Sequence, residues 1–286
     1  MARKWTGREV AEDLDRKTAE KVAALVAKGV TPTLGVVRVG EKPADLSYEK
    51  GLEKRCGKIG IRVEKFLLPE DVSEQGLLDV VREVNASESI HGILLFRPLP
   101  AGIDEHRILQ AISPKKDMDC VTDLSLAGVF AGKKDGFAPC TAEAVIRILD
   151  YYGYDCTGKR AVVVGRSTVI GKPAAMLLLQ KNATVTIAHT RTRDLPALLR
   201  EADLIVAAAG HSHTVTRECL GMGQTIVDVG INVTPEGTLV GDVDKEAEEA
   251  LAGAYTPVPG GVGAVTTAVL VSHLATAAGA QTGNAE

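Results

Sequence analysis

The stretch best suited to chemistry runs from Ala161 to Arg193, AVVVGRSTVIGKPAAMLLLQKNATVTIAHTRTR. A β-branched apolar run, Ala161 to Val164, ends at Gly165 and reads as a buried strand of a parallel sheet. The turn Gly165-Arg-Ser-Thr-Val-Ile-Gly171 follows, then a helical segment from Pro173 to Lys181 and a second strand from Ala183 to His189. A βαβ unit with a glycine turn can aim backbone amides at a phosphate where its helix begins. The spacing departs from G-x-G-x-x-G, because Ser167 stands at the middle glycine. Ser167 can donate its hydroxyl or open the turn. Gly171 allows a close helix–sheet approach, and Pro173 suits a first helical turn, where no amide donor is needed. A P-loop is excluded, since five residues separate the glycines and Lys172 precedes Pro173. A nucleophile elbow is excluded because Val169 stands where its second glycine is required. On the glycines alone, an ordinary βαβ unit without a ligand stays open.

The end of the second strand narrows the choice. An NAD site places Asp or Glu there to hold the ribose 2′-hydroxyl. This chain has His189-Thr190-Arg191-Thr192-Arg193, with Arg166 in the glycine turn. A carboxylate repels a 2′-phosphate, whereas guanidinium and hydroxyl groups bind it. The expected cofactor is therefore NADP rather than NAD, held by Gly165, Arg166, Ser167, Ile170, Gly171, Thr190 and Arg191.

The elements around this unit set its frame. The chain has 286 residues, 45% of them hydrophobic and 24% charged, as in an ordinary soluble globular protein. A net charge of −4 gives no sign of a nucleic-acid or membrane surface. MARKWTGREV shows no signal-peptide pattern, and no apolar run reads as long enough to span a bilayer. Five scattered cysteines without C-x-x-C spacing point to reduced thiols in a cytoplasm. His211-Ser-His213 lacks an acidic partner, so no metal site is expected. A helix is expected from Thr6 to about Lys28, strands at Thr33–Val39, Ile61–Leu68 and Gly92–Phe96, and helices at Ala44–Lys58 and Glu74–Val84. Ser113 to Pro139 reads as loop, followed by a helix from Thr141, its N-cap, to Tyr152. Further strands are expected at Leu204–Ala208 and Thr225–Val229, and a last apolar helix at Val265–Ala278. The Pro/Gly run Thr256 to Gly263, TPVPGGVG, is either a hinge or a loop bringing backbone close to a ligand. The fold class is α/β, two α/β domains flanking a cleft, the second a Rossmann-like dinucleotide-binding domain. The expected boundaries are 1–140, completed by the C-terminal helix 264–286, and 141–263.

Several stretches together resemble one family. They are Gly92-Ile-Leu, Pro98-Leu-Pro, Lys116-Asp-Met-Asp, Pro139-Cys-Thr, Val162-Val-Val-Gly-Arg-Ser, Ala183-Thr-Val-Thr, Asp228-Val-Gly-Ile-Asn232, Gly241-Asp-Val and Thr256-Pro-Val-Pro-Gly-Gly-Val-Gly263. In this order and at these separations they resemble the methylenetetrahydrofolate dehydrogenase/cyclohydrolase family of the FolD type, from about Val10 to about Leu274. The resemblance implies a cytoplasmic homodimer that takes a tetrahydrofolate derivative as substrate and acts on neither nucleic acid nor membrane. Such an enzyme oxidises 5,10-methylenetetrahydrofolate with NADP or NAD, and most members then hydrolyse the methenyl product to 10-formyltetrahydrofolate. It further implies a substrate site of Tyr48, Leu52, Phe96, Pro98, Leu99, Asp119, Pro259, Gly260 and Gly261, with Tyr48 and Asp119 catalytic, and a cofactor contact at Ile231.

The match is uneven. The family's lysine, in Y-x-x-x-K, is Leu52 here, and its glutamine, in V-Q-L-P-L-P, is Phe96. Cys120 replaces the glycine of D-V-D-G, and Ala264-Val265 stands for Pro-Met. Lys50 and Lys54 point away from Tyr48 on a helix, and strand alternation turns Arg97 from Phe96 to the other face. Hydride transfer needs no enzymatic base, and a carboxylate such as Asp119 favours its cationic product. Hydrolysis needs a tunable acid/base group, which lysine is. The expectation is an NADP-dependent dehydrogenase with weak or absent cyclohydrolase. A full bifunctional enzyme and a non-catalytic folate- or nucleotide-binding paralogue are the alternatives.

Overall fold

The structure, a computed structural model, describes residues 2–133 and 136–283. Strand β1 (Arg3–Lys4) leads into helix α1 (Gly7–Ala27). β2 (Thr33–Val39) is buried at every position, as the centre of a sheet is. Pro43 opens α2 (Pro43–Ile59), whose N-cap is Lys42, and Gly60 ends it in the left-handed region at φ 89°. β3 (Arg62–Leu68), α3 (Glu74–Ala86) and β4 (Gly92–Leu95) follow. The Ser73 hydroxyl accepts from Gly76 N at the start of α3. Then come α4 (Glu105–Gln110), α5 (Asp123–Ala131) and α6 (Cys140–Tyr151).

The second half alternates regularly. β5 (Arg160–Val164), α7 (Gly171–Gln180), β6 (Thr184–Ala188), α8 (Leu195–Arg200), β7 (Leu204–Ala207) and β8 (Thr225–Asp228) are in order. A small hairpin, β9 (Asn232–Val233) and β10 (Leu239–Val240), precedes α9 (Lys245–Leu251), β11 (Ala254–Tyr255) and α10 (Thr266–Gln281).

The described chain forms two compact units. Among the described residues, one comprises 13–128, 133, 136–138 and 267–283; the other comprises 2–12, 129–132 and 139–266. The first holds a three-stranded parallel sheet in the order β3-β2-β4. Its core includes Val37, Leu77, Val81, Ile93 and Ile108, and each such aliphatic side chain contributes roughly 1.5–3 kcal/mol when removed from water. The second holds a six-stranded parallel sheet in the order β1-β11-β8-β7-β5-β6. Together these are the α/β architecture with a Rossmann-type sheet.

Several expectations need correction. The region read as loop, 113–139, contains α5, and α4, which no sequence pattern marks, precedes it. α6 begins at Cys140 with Pro139 at its cap, so Thr141 is already inside the helix. β4 ends at Leu95, leaving Phe96 just past the strand. By length and composition Val262–Gln281 is apolar enough to cross a membrane, against the reading that no run is. Two thirds of its most apolar stretch is buried, as in a core helix.

At the carboxyl end of β8, two aspartates lock three loops. The Asp228 carboxylate accepts from the backbone N–H groups of Gly230, Asp242 and Val243. Asp242 accepts from Ala209 N, Gly210 N and the Asn232 amide. Each acid lies against the other's glycine: a Cβ on Gly230 would stand 2.3 Å from Asp242 Oδ1, and one on Gly241 1.9 Å from Asp228 Oδ2. Gly241→Ala should therefore lower stability by about 1–3 kcal/mol or more, as overpacking does. Gly51→Ala is the control, since Gly51 lies within α2 and a methyl group added there would meet nothing within 4 Å. It should raise stability by about 0.5–1 kcal/mol. Thermal unfolding of the two variants checks both signs.

Candidate active site

In the three-stranded unit, α2 and the end of β4 hold the site. A stripe on α2, Glu49, Leu52, Cys56 and Ile59, is buried. Leu52 is only 1% exposed and fills the core, while Tyr48 at the edge of the stripe is 41% exposed. The Tyr48 ring meets Phe96 edge-on, with centroids 5.8 Å apart at 81°. Pro98 is exposed, and Leu99 packs against the core beside it. Arg97 does not turn to Tyr48: its guanidinium lies 3.7 Å from Glu105, whose other oxygen accepts from Leu99 N.

A buried ion pair sets the helix. Arg38 Nε donates to Glu49 at 2.8 Å, and both side chains are almost fully buried. Lys65 Nζ reaches Glu49 at 3.3 Å and Glu53 at 2.7 Å. Burial alone would raise the Glu49 carboxyl, but hydrogen bonds from Arg38 and Lys65 outweigh it and hold it below the usual range. Removing one partner of such a pair leaves a buried charge uncompensated, so the pair specifies the seating of α2 more than it adds stability. Motif and periodicity do not reveal this pair. Its one trace in the sequence is an arginine inside the otherwise apolar strand TLGVVRV.

Lys116-Asp-Met-Asp119 is a scaffold ending in an acid. Lys116 Nζ donates to the carbonyls of Asn85 and Ser87 at the end of α3, at 2.8 and 2.6 Å. Asp117 accepts from Val121 N, Thr122 N and the Ser125 hydroxyl. Met118 is fully buried, and a Cβ on Gly92 would meet its side chain at 2.6 Å. Cys120 takes the left-handed conformation at φ 55°, which a glycine would adopt without a Cβ penalty. Asp119, between two buried neighbours, is left half-buried.

In the six-stranded unit, β5 and β6 run side by side, with Gly165 N donating to Ala188 O. Arg166, Thr190 and Arg191 thus lie at the carboxyl ends of adjacent strands, all exposed. Gly165 has φ 140°, and a Cβ there would stand 2.2 Å from Ala208 O; one on Gly171 would stand 2.3 Å from Gly165 O. Both glycines are needed for close backbone approach. Ser167 Oγ accepts from Ile170 N and Gly171 N, so it opens the turn by capping α7. These are two of the amides at the helix start, and here they donate to Ser167 rather than standing open. The adjoining exposed guanidiniums, with no carboxylate among residues 189–193, fit a doubly phosphorylated ribose.

The Pro/Gly run is anchored at both ends. Thr256 Oγ1 accepts from Asp228 N, and Gly7 N donates to Gly260 O. Pro259 and Gly260 are exposed and Gly261 is buried. Ile231, 63% exposed, approaches Gly263. Behind the loop lie Asp228 and Glu248. Burial pushes Asp228 up to about 6 despite three backbone donors, with Asp242 adding to the rise. Burial, then the Asp228 charge, pushes Glu248 up to about 8, and its Oε2 has no hydrogen-bond partner among the described residues.

A parallel six-stranded sheet with a glycine turn at the head of its second-half helix defines a dinucleotide-binding α/β protein. Residues 139–282 match the tetrahydrofolate dehydrogenase/cyclohydrolase NAD(P)-binding domain, and residues 5–119 match the catalytic domain of the same enzymes. The chain belongs to the tetrahydrofolate dehydrogenase/cyclohydrolase family. It is 48% identical over 275 residues to the bifunctional protein FolD of Carboxydothermus hydrogenoformans, covering 96% of each chain. It is similar to the crystal structure of the bifunctional enzyme FolD from Campylobacter jejuni, with 36% identity, a TM-score of 0.94 and 97% and 99% of the two chains covered. The Trypanosoma brucei enzyme, solved with NADP cofactor and inhibitor, has 34% identity and a TM-score of 0.91, with 98% of each chain covered.

Glu248 should leave a pH signature. Its folded carboxyl is raised from an ordinary 4.5 to about 8. Between these values the unfolded chain has lost the proton and the folded chain has kept it. Stability therefore falls as pH rises through this window, by about 1.4 kcal/mol for each pH unit. Glu248→Gln removes that loss. The melting temperature of the variant relative to the parent should climb from pH 5 to pH 8.5; a constant difference would contradict the burial argument.

Proposed function

We propose that the protein oxidises 5,10-methylenetetrahydrofolate with NADP and hydrolyses the methenyl product to 10-formyltetrahydrofolate. The observation that carries this reading is the 48% identity, over 96% of both chains, to a relative named bifunctional FolD. In this reading NADP, when bound, accepts a hydride. The chain's own residues bind and orient. Arg166, Thr190 and Arg191 hold the 2′-phosphate, and the turn from Gly165 through Ser167 and Ile170 to Gly171 lets the dinucleotide approach the sheet, with Ile231 beside it. Tyr48, Phe96, Pro98 and Leu99 hold the pterin, Leu52 supports them from the core, and Pro259, Gly260 and Gly261 contribute backbone. Asp119 steadies the cationic product, since a fixed carboxylate stabilises charge that develops during hydride loss. The same reading assigns the folate to residues 1–140 with 264–286 and the cofactor to 141–263, except that residues 1–12 and 129–132 pack with the six-stranded unit, and it makes the molecule a cytoplasmic homodimer.

A second reading, an NADP-dependent dehydrogenase with weak or absent cyclohydrolase, is favoured by a specific observation. Leu52 is buried and Phe96 faces Tyr48, and neither carries a titratable proton. A general acid/base typically contributes about a hundred- to ten-thousand-fold, so its loss would be plain. The test follows NADPH formation from methylenetetrahydrofolate and, separately, decay of methenyltetrahydrofolate, in a buffer that does not catalyse hydrolysis. Enzyme-dependent decay at a rate comparable to oxidation supports the bifunctional reading. Oxidation alone selects the second, and neither activity sinks both.

The cofactor assignment has its own check. Arg166→Ala should raise the KM for NADP by about ten- to hundred-fold, the worth of one charge-assisted hydrogen bond, and leave that for NAD nearly unchanged. Equal effects on both cofactors would remove Arg166 from the 2′-phosphate.

A further inference from the structure

We propose that Lys42 supplies the amine that moves protons during methenyl hydrolysis. The inference rests on the bifunctional reading above and names the group that reading needs. Hydrolysis requires a side chain that both takes and gives a proton. Leu52 and Phe96 have none to exchange. Arg97 is engaged by Glu105, and a guanidinium stays protonated. Lys42 stands at the N-cap of α2, and its Nζ donates to Pro98 O at 2.8 Å across 56 residues of sequence. That contact carries an amine to the segment Phe96–Pro98 at the carboxyl end of β4. In this segment the Phe96 ring packs against Tyr48, with centroids 5.8 Å apart. The Lys42 side chain is exposed, and its four-carbon stem can leave the carbonyl and turn to a substrate held on Tyr48.

A water oxygen bonds to the methenyl carbon and one of its protons passes to solvent, giving a neutral carbinolamine. The carbon–N5 bond then breaks as the Lys42 ammonium gives a proton to N5, and the resulting amine takes the remaining hydroxyl proton as the formyl carbonyl forms on N10. The ammonium ends as it began, and the cationic substrate has become a neutral product plus one proton.

The alternative role of Lys42 is a tether that only holds Pro98. Two variants separate them. Lys42→Met removes both the proton and the tether. Lys42→Arg keeps a donor for the Pro98 carbonyl but cannot release a proton at working pH. For each, and for the parent, the rates of methenyl decay and of NADPH formation are measured on one preparation across pH, with melting temperatures to confirm folding. The ratio of hydrolysis to oxidation is expected to fall about a hundred-fold or more in both variants, with loss of a pH-dependent limb present in the parent's hydrolysis profile. A ratio kept by Lys42→Arg and lost only in Lys42→Met makes Lys42 a tether and overturns the inference. A ratio kept by both overturns it while leaving the bifunctional reading intact. No hydrolysis by the parent overturns both.

Discussion

The nucleotide-binding unit depends on the exchange between Asp228 and Asp242. Two buried carboxylates collect five backbone N–H groups and one side-chain amide from the ends of β7, β8 and β10. Burying an acid is costly unless its oxygens are satisfied, so these loops cannot separate without stranding a charge. The reciprocal glycines follow from the same geometry, because an acid that accepts from a backbone at this distance leaves no space for a Cβ. What reads in the sequence as D-V-G-I-N and G-D-V is thus one interlock. Through Asp228 N and Thr256 Oγ1 it also fixes where the Pro/Gly run begins.

The three-stranded unit solves a similar problem by different means. Asp119 is held in place while staying partly open to water. Its neighbours do this: Lys116 caps the end of α3, Asp117 staples the following turn and Met118 fills the core. Cys120 in the left-handed region costs roughly 1–2 kcal/mol that glycine would not. Its burial and the hydrogen bonds from Val121 and Thr122 to Asp117 hold that conformation.

The alternating strands and helices of both units are legible in the sequence because each strand is a short apolar run and each long helix has an apolar stripe. α5 is not, since DLSLAGVFA is apolar nearly all round and shows no helical period. α4 is too short for periodicity to register. β1 and β11 are two residues each and pair across almost the whole chain, Arg3 with Ala254, which no local pattern reveals. At the site, residue types are readable and directions are not. Strand alternation puts Arg97 opposite Phe96, but both lie beyond the last residue of β4, and Glu105 decides where Arg97 goes. Helical spacing puts Leu52 on the face of Tyr48, yet the buried stripe runs through Glu49 and Leu52 and leaves Tyr48 at its margin. The Arg38–Glu49 pair that sets this rotation joins residues from two elements and forms only on folding.

The two half-reactions of the proposed function ask different things of this scaffold. Hydride transfer is served by contact and orientation, which apolar neighbours such as Leu52 and Phe96 do not impede, with the cationic product left to a carboxylate. Such neighbours work against hydrolysis, which must admit a water and move its protons. If one site is to serve both, as proposed, its proton-moving group must come from outside this apolar stretch, and the start of α2 offers one. The N-cap of α2 is an exposed lysine bonded to the Pro98 carbonyl, while the helix interior facing the core is apolar apart from the paired Glu49. In the proposed reading, this separation along one helix keeps the proton-moving group at the solvent-exposed start of α2 and away from the apolar face that Leu52 presents to the core.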